Sequence, residues 1–374
     1  MTAVSRQEVP RPVAIAPAGA EAAHARRGRA VRRSLGALAV LLLASFSLAV
    51  GQGAVAIAPD AQLAILGRGL GLGLGATPDP VQETVLLAIR LPRAVLAVLV
   101  GAVLAVCGAS LQGLFRNPLA DPGLIGVSTG SALAAALAIV LGGSLLASLS
   151  PAAAAWLLPG AAFVGGVATT FLVYAVAARD GRCDVATMLL AGVALNSIAG
   201  AAIGLLVFLS DDAQLRELNF WMLGSLSGIT WERLLPALPF MLVPLVVLPG
   251  LGRHLNALLL GETEADHLGF DVENVKRVLI VLVALAVGAA VALTGVIGFV
   301  GLVVPHLVRL VLGPDHRALL PCAALLGAAL LLLADLLART LVLPAELPIG
   351  ILTSCVGGPF FLWLLFRRRA AQGW

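Results

Sequence analysis

Three arginines and one aspartate stand at the ends of long apolar stretches, where their charges could bind another charged group. Arg90 and Arg93 lie in the motif RLPR before one such stretch, and Arg339 follows Asp335 by four residues near the end of another. Residues four apart share a helix face, so the spacing predicts an ion pair between Asp335 and Arg339. Two roles fit the arginines: interfacial side chains that extend toward water, or a docking surface for an acidic partner.

An acidic segment between two apolar stretches is the second candidate for binding. Residues 256–271 have a helical pattern, and the middle of the segment carries Glu262, Glu264 and Asp266 with no basic residue before Lys276. A helix that lies on anionic lipid is basic, so this segment is better suited to binding a protein. A solvated loop helix is the alternative that the pattern leaves open.

The sequence lacks the residue patterns of an enzyme or an ATPase. Lys276 is the only lysine, so the glycine-rich run RGLGLGLG at 68–75 lacks the lysine of a phosphate-binding loop. The four cysteines form no CxxC pair, and His306 is an isolated histidine. We therefore expect no cofactor or metal in this chain, no enzyme activity of its own, and ATP chemistry only in a partner.

The composition is typical of a protein embedded in a membrane. Of the 374 residues, 60% are hydrophobic and 12% are charged, against roughly 25% charged in soluble domains. We predict an all-α polytopic membrane protein with one transmembrane domain over residues 34–367 and a disordered cytoplasmic tail over residues 1–33. Stretches without charges predict about ten spans: 34–59, 94–115, two within 122–178, 185–210, 234–252, two within 278–308, 318–334 and 347–366.

The arginines predict how these spans are oriented. All but six of the 24 basic residues fall on one side when the N-terminus is placed inside, which makes both termini cytoplasmic. Topology thus explains the basic balance, and we expect no nucleic acid partner. Spans 2–5 and 7–10 then form two four-helix units of opposite topology, an arrangement common in transporters.

Glycines and prolines interrupt the apolar pattern where a pathway could pass. The run GVIGFVGLVVP at 295–305 splits one long stretch in two, and irregular backbone persists in a membrane only where protein or water covers it. Asn-Pro and Asp-Pro pairs predict a tight cytoplasmic turn at 117–122. Asp335 is the only carboxylate expected near the midplane, which argues against a proton-coupled carrier. The structural or pathway candidates are Asn117, Pro118, Asp121, Asn196, Gly298, Gly301, Pro305 and Asp335.

Seven motifs in order resemble the permease subunits of the type II ABC importers for iron chelates, haem and cobalamin. They are RLPR at 90–93, QGLFRNPLADPGLIGVSTG at 112–130, LAGVALN at 190–196, WMLGSL at 221–226, LLLGETEADHLGFDV at 258–272, GVIGFVGLVVPHLVRL at 295–310, and LLLADLLART with ELPIG and GGPFFLW at 331–363. The resemblance covers residues 36–367 and leaves the N-terminal segment outside it.

The resemblance implies a homodimer of ten-helix chains with the pathway at their interface, in the bacterial cytoplasmic membrane. Two cytoplasmic ATPase subunits, which hold ATP and Mg, and a periplasmic or lipoprotein binding protein complete such importers. Residues 256–271 would be the coupling helix at the ATPase, with the contact residues Leu258, Gly261, Glu262, Glu264, Asp266, Leu268 and Gly269. Arg90, Arg93 and Arg339 match the outer arginines that pair with glutamates of the binding protein.

The resemblance is nearest to the haem-import branch. The two segments that favour this branch are GLFRNPLADPGLIG at 113–126 and LRELNFWMLGSLSG at 215–228. Ferric siderophores and cobalamin stay open as substrates, because the apolar walls that the sequence predicts suit all three. A secondary carrier that works alone is the distant alternative, and the scarcity of midplane carboxylates argues against it.

Overall fold

The computed structural model describes residues 18–53, 55–69, 71–72, 79–143, 149–342 and 344–372, and these residues are almost wholly helical. Fourteen helices lie within them: α1 (Ala18–Gly51), α2 (Pro59–Gly69), α3 (Pro80–Leu114), α4 (Val127–Leu141), α5 (Pro151–Ala177), α6 (Val185–Leu209), α7 (Asp212–Leu223), α8 (Trp231–Gly250), α9 (Gly252–Leu258), α10 (Glu262–His267), α11 (Val272–Thr294), α12 (Val300–Leu312), α13 (His316–Thr340) and α14 (Ile349–Gln372). A two-stranded antiparallel hairpin, β1 (Ala178–Arg179) and β2 (Arg182–Cys183), joins α5 to α6.

The predicted all-α membrane fold is confirmed. Seven helices of the described residues are long and apolar enough to cross a membrane: α1, α3, α5, α6, α8, α11 and α13. Three shorter apolar helices, α4, α12 and α14, bring the number of apolar helices in the described part of the chain to ten. This number agrees with the sequence prediction of about ten spans.

Helix α3 lies at the centre of the bundle. Within its most apolar stretch, 89% of the residues are buried by the rest of the protein, and it packs along α13, α12 and α11. Glycines bring the helices together: a Cβ on Gly101 would overlap the carbonyl of Gly327 in α13, and a Cβ on Gly108 would overlap Gly301 in α12. Small residues at such crossings let two backbones touch, which is how helices gain packing energy in a membrane.

The N-terminal region differs from its prediction. Helix α1 begins at Ala18, so the expected disorder of residues 1–33 is wrong for 18–33, and residues 1–17 lie outside the described part of the chain. Alanine and arginine, which dominate this stretch, are among the strongest helix formers. The first span also ends earlier than the predicted residue 59, because the helix stops at Gly51.

The predicted interruption near residues 295–298 is confirmed. Helix α11 ends at Thr294, and Gly295 follows it with a left-handed φ of 69°. Phe299 also has a positive φ, 67°, immediately before α12 starts at Val300. The backbone of this loop is covered by protein, since a Cβ on Gly295 would overlap the carbonyl of Trp221. The sequence signal was local here, because glycine tolerates a positive φ without strain.

Candidate functional site

The charged residues near the end of α13 form one cluster, which we call the outer cluster: Arg90, Arg93, Asp335, Arg339 and Glu346. The Asp335 side chain is 3% exposed and accepts from Arg93 Nε at 3.0 and 3.1 Å and from Arg93 Nη2 at 2.9 Å. Arg339 is also within ion-pair range, with Nε 3.7 Å from Asp335 Oδ2, so the predicted i, i+4 pair is confirmed. Arg93 is nevertheless the closer partner of Asp335.

Glu346 is a member of this cluster that the sequence reasoning missed. It lies in the loop before α14 and accepts from Arg93 Nη1 at 2.9 Å and from Nη2 at 3.0 Å. The hydrogen bond with Arg93 holds the pKa of the Glu346 carboxyl below its ordinary value. Arg93 therefore joins two carboxylates, one buried and one at the surface. The only available signal was its position between two prolines in PAELP, which does not reveal a partner 253 residues away.

The two other arginines of the outer cluster bind the end of α1. Arg90 is 7% exposed, and it donates from Nη1 to Val50 O at 2.8 Å and to Gly51 O at 3.0 Å. Arg339 donates from Nη1 to Gln52 O at 3.0 Å, and its Nη2 contacts Ala49 O. The last carbonyls of a helix have no partner within the helix and carry partial negative charge, so two guanidinium groups stabilise this terminus. The structure thus gives these arginines an internal role, and their contact with a partner protein stays a prediction.

The acidic segment on the opposite side is not the single helix that the pattern predicted over 256–271. It consists of α9, a turn, the short α10 and a second turn before α11. The interruptions fall at Gly261, with a φ of 133°, and at Gly269, with a φ of 85°, conformations that side-chain-bearing residues rarely adopt. The prediction of one continuous helix is therefore wrong, although the segment is helical on either side of Gly261.

Helix α10 presents a mixed acidic and apolar edge. Leu258 and Ala265 are buried against the protein, whereas Glu264, Asp266 and Leu268 are exposed. Leu268 is 61% exposed, and the neighbouring Leu260 is 66% exposed. Exposed leucines beside carboxylates fit a protein partner better than they fit bulk water. The residues predicted for contact with the ATPase thus divide into an exposed set and a set that anchors the segment.

Glu262 and Lys276 are joined in a contact that the sequence reasoning missed. The Lys276 side chain is 1% exposed, and its Nζ lies 2.6 Å from Glu262 Oε2. It also donates to Glu273 Oε1 at 2.9 Å and to the carbonyl of Cys183 at 2.8 Å. The sequence pattern predicts no partner for Lys276. Its being the single lysine of the chain was the one signal that could have marked it.

Several pathway candidates meet around the turn between α3 and α4. Asp121 Oδ1 accepts from Gly123 N at 2.8 Å, and Asn196 Nδ2 of α6 donates to Gly123 O at 3.0 Å. Asn117 Oδ1 accepts from Leu119 N at 2.9 Å and fixes the same turn. Burial raises the pKa of the Asp121 carboxyl above its ordinary value. Asn117 and Asp121 therefore fix the turn from within, and Asn196 holds it against α6.

The remaining candidates lie on or beside α12. Gln112 Nε2 donates to Gly301 O at 3.1 Å, which ties α3 to the first turn of α12. Pro305 is buried within α12. Gly298 lies in the loop before α12, and a Cβ added to it would meet nothing within 4 Å. Pro118 lies in the turn with Asn117. Asp335 stands apart from all of these candidates, in the outer cluster.

Comparisons with known proteins agree with this architecture. The sequence matches the model of the FecCD transport family over residues 40–367. It is 51% identical over 284 residues to the hemin transport system permease protein HmuU of Yersinia pestis, covering 76% of this chain and 83% of that protein. It is 45% identical over 283 residues to the cobalamin import system permease protein BtuC of Halobacterium salinarum, covering 76% and 73% respectively.

A solved structure is similar to the whole fold. It is described as an inward-facing conformation of a metal-chelate type ABC transporter, and its sequence is 35% identical to this chain. The superposition has a TM-score of 0.77 and covers 90% of this chain and 99% of the other. Helix order and sequence motifs therefore lead to the same group of proteins.

Proposed function

Because the chain belongs to the FecCD transport family and is the permease subunit of a type II ABC importer, we propose that it carries haem across the bacterial cytoplasmic membrane. The observation that supports haem is the 51% identity to a hemin permease, against 45% to a cobalamin permease. Cobalamin import by the same mechanism is the second candidate, since permeases named for cobalamin or vitamin B12 are numerous among the relatives. Ferric siderophores are the third, supported by the metal-chelate transporter of similar fold.

In the proposed mechanism, this chain moves the cargo and a separate subunit hydrolyses ATP, with ATP and Mg held on that subunit. The exposed edge of α10, with Glu264, Asp266 and Leu268, is the contact for the ATPase. Closure of two ATPase subunits displaces α10, and two copies of this chain rock to open the pathway on alternate sides. A binding protein delivers the cargo to the side of the outer cluster.

A homodimer is part of the proposal, and the surface of α6 supports it. Only 22% of the most apolar stretch of α6 is buried within the chain, and Ile198 and Phe208 are 65% and 84% exposed. Gly200 and Gly204 on this helix have open space around them, since a Cβ on either would meet nothing within 4 Å. A GxxxG pair without a partner fits close approach of a second helix. In the dimer, α6 faces the α6 of the second copy, and the helices at the periphery of the dimer face lipid.

The test is ATP-dependent uptake into proteoliposomes that contain this chain, its ATPase and its binding protein. Haem, vitamin B12 and one ferric siderophore are compared at equal concentration, with non-hydrolysable ATP analogue as the blank. Uptake of haem alone supports the proposal. Uptake of vitamin B12 or the siderophore in place of haem overturns the haem assignment, and uptake that needs no ATP overturns the importer mechanism.

A further inference from the structure

The buried Lys276 makes three hydrogen bonds, each to a different acceptor oxygen. Its ammonium group has three N–H donors and no contact with water, since the side chain is 1% exposed. The three acceptors are Glu262 Oε2 at 2.6 Å, Glu273 Oε1 at 2.9 Å and Cys183 O at 2.8 Å. Loss of one acceptor would leave a buried N–H of the ammonium without a partner, which costs free energy because water does not reach it. The ammonium therefore holds its three acceptors in place together.

These acceptors belong to three separate elements of the fold. Glu262 is the first residue of α10, Glu273 lies in the first turn of α11, and Cys183 ends β2. Glu273 closes the arrangement, because its Oε2 accepts from Cys183 N at 2.9 Å. Lys276 and Glu273 thus join α10 to the β1–β2 hairpin through α11.

The hairpin leads directly into α6. Asp184 follows Cys183 and caps α6, accepting from Thr187 N at 2.8 Å. A displacement of the hairpin therefore moves the first turn of α6, the helix whose exposed face lies at the proposed dimer pathway. Arg277 also binds the hairpin, since its Nη2 donates to Gly181 O at 2.8 Å, but its Nε donates to the hydroxyl of Tyr174 in α5 and not to α10. Within the part of the chain that the structure describes, Lys276 is the residue whose hydrogen bonds reach both α10 and the hairpin.

We propose that Lys276 is a positioning residue that transmits the displacement of α10 to α6, and so couples ATP hydrolysis to opening of the pathway. The inference rests on the proposed function, in which α10 receives the ATPase. It assigns Glu262 to the transmission and leaves contact with the ATPase to the exposed Glu264, Asp266 and Leu268.

The first experiment measures coupling in the assembled importer. Lys276→Met keeps an unbranched side chain of similar length and removes the charge, whereas Lys276→Arg keeps the charge. Asp180→Asn is the matched control, since Asp180 is 95% exposed on the same hairpin, and asparagine tolerates its positive φ of 51°. Haem imported per ATP hydrolysed is measured in proteoliposomes for each variant.

For Lys276→Met we expect the number of haem molecules imported per ATP to fall about tenfold or more. A hydrogen bond to a charged group changes the equilibrium constant between two conformations by about tenfold or more. ATP hydrolysis and co-purification of the ATPase continue, Lys276→Arg regains most of the ratio, and Asp180→Asn keeps the wild-type ratio. The proposal is overturned if Lys276→Met imports as much haem per ATP as the wild type. It is also overturned if Lys276→Arg and Asp180→Asn both lose as much of this ratio as Lys276→Met does.

A second measurement does not depend on the cargo or on the folding of Lys276→Met. Cys183 is buried, and burial raises the pKa of its thiol to about 11, so it reacts slowly in the intact hairpin. In a Cys355→Ser background, which removes the exposed cysteine, maleimide labelling of Cys183 reports opening of the joint. Glu262→Gln removes the negative charge that pairs with the Lys276 ammonium, and we expect it to raise the labelling rate severalfold and to lower the coupling ratio.

The two proposals fail in different ways. If the wild-type complex imports no haem, the proposed cargo is overturned, while faster labelling of Cys183 in Glu262→Gln still supports the joint. If haem is imported and neither the labelling rate nor the ratio changes in Glu262→Gln, the role of Lys276 is overturned and the proposed function stands.

Discussion

Removal of Arg93 separates the structural role of the outer cluster from docking. Arg93→Met keeps the unbranched apolar part of the side chain and removes the charge, which leaves Asp335, whose side chain is 3% exposed, with Arg339 as its nearest cation. At the 2.9 Å separation of Arg93 and Asp335, Coulomb attraction is about 6 kcal/mol with an effective dielectric constant of about 20. Arg339 at 3.7 Å supplies about 4 kcal/mol on the same basis.

Arg339 therefore compensates in part for the missing Arg93. We expect the loss in free energy of unfolding to lie near the lower end of the range for broken buried ion pairs. That range is roughly 3–5 kcal/mol, so Arg93→Met should lower the free energy of unfolding by about 3 kcal/mol. The measurement is equilibrium unfolding in mixed micelles, followed by circular dichroism. The double variant Arg93→Met with Asp335→Leu removes both charges, and it should recover most of this loss because a buried pair exchanged for apolar groups is often neutral.

The result that refutes this reasoning is a single variant as stable as the wild type. The double variant then tests docking. If it recovers stability and still fails to bind the binding protein, Arg93 contributes to docking beyond its structural role. If it binds as the wild type does, the predicted docking role of Arg93 is wrong.

Two further predictions follow from the packing of α3 and from Glu346. Gly101→Ala should destabilise the fold by about 1–3 kcal/mol, since the new Cβ overlaps the Gly327 carbonyl. Gly160→Ala, whose Cβ meets nothing within 4 Å, should stabilise it by about 0.5–1 kcal/mol, and equal thermal stability of the two variants would contradict the packing argument. Arg93 lowers the pKa of Glu346 from 4.5, so the stability from this pair is present above that pH and is lost as the pH falls through the lowered pKa. Glu346→Gln should remove this part of the acid dependence, and an unchanged pH profile of unfolding would count against the pair.

Local signals in the sequence predicted the helices and their interruptions. The break before α12 could be predicted because Gly295, which has a positive φ, directly follows the last residue of α11. The same kind of signal is present at Gly261 and Gly269, but the spacing of the leucines and acids around them predicts one helix. The positive φ values at both glycines show that glycine was the stronger indicator there.

Contacts between distant residues could not be predicted from one sequence. Arg90 binds a carbonyl 40 residues earlier, and Lys276 binds one 93 residues earlier. Nothing in the residue types distinguishes an arginine that caps a distant helix from one that faces a partner protein. The i, i+4 pair of Asp335 and Arg339 could be predicted because both residues lie on one helix.

The burial of Lys276 has a consequence for the chemical reactivity of the chain. Reagents that acylate primary amines find no accessible lysine side chain in the folded protein, because Lys276 is the single lysine and its side chain is 1% exposed. Trypsin digestion of the native fold is likewise confined to arginine. Acylation of Lys276, located by peptide mass spectrometry, therefore marks each chain in which the N-terminal end of α11 has opened.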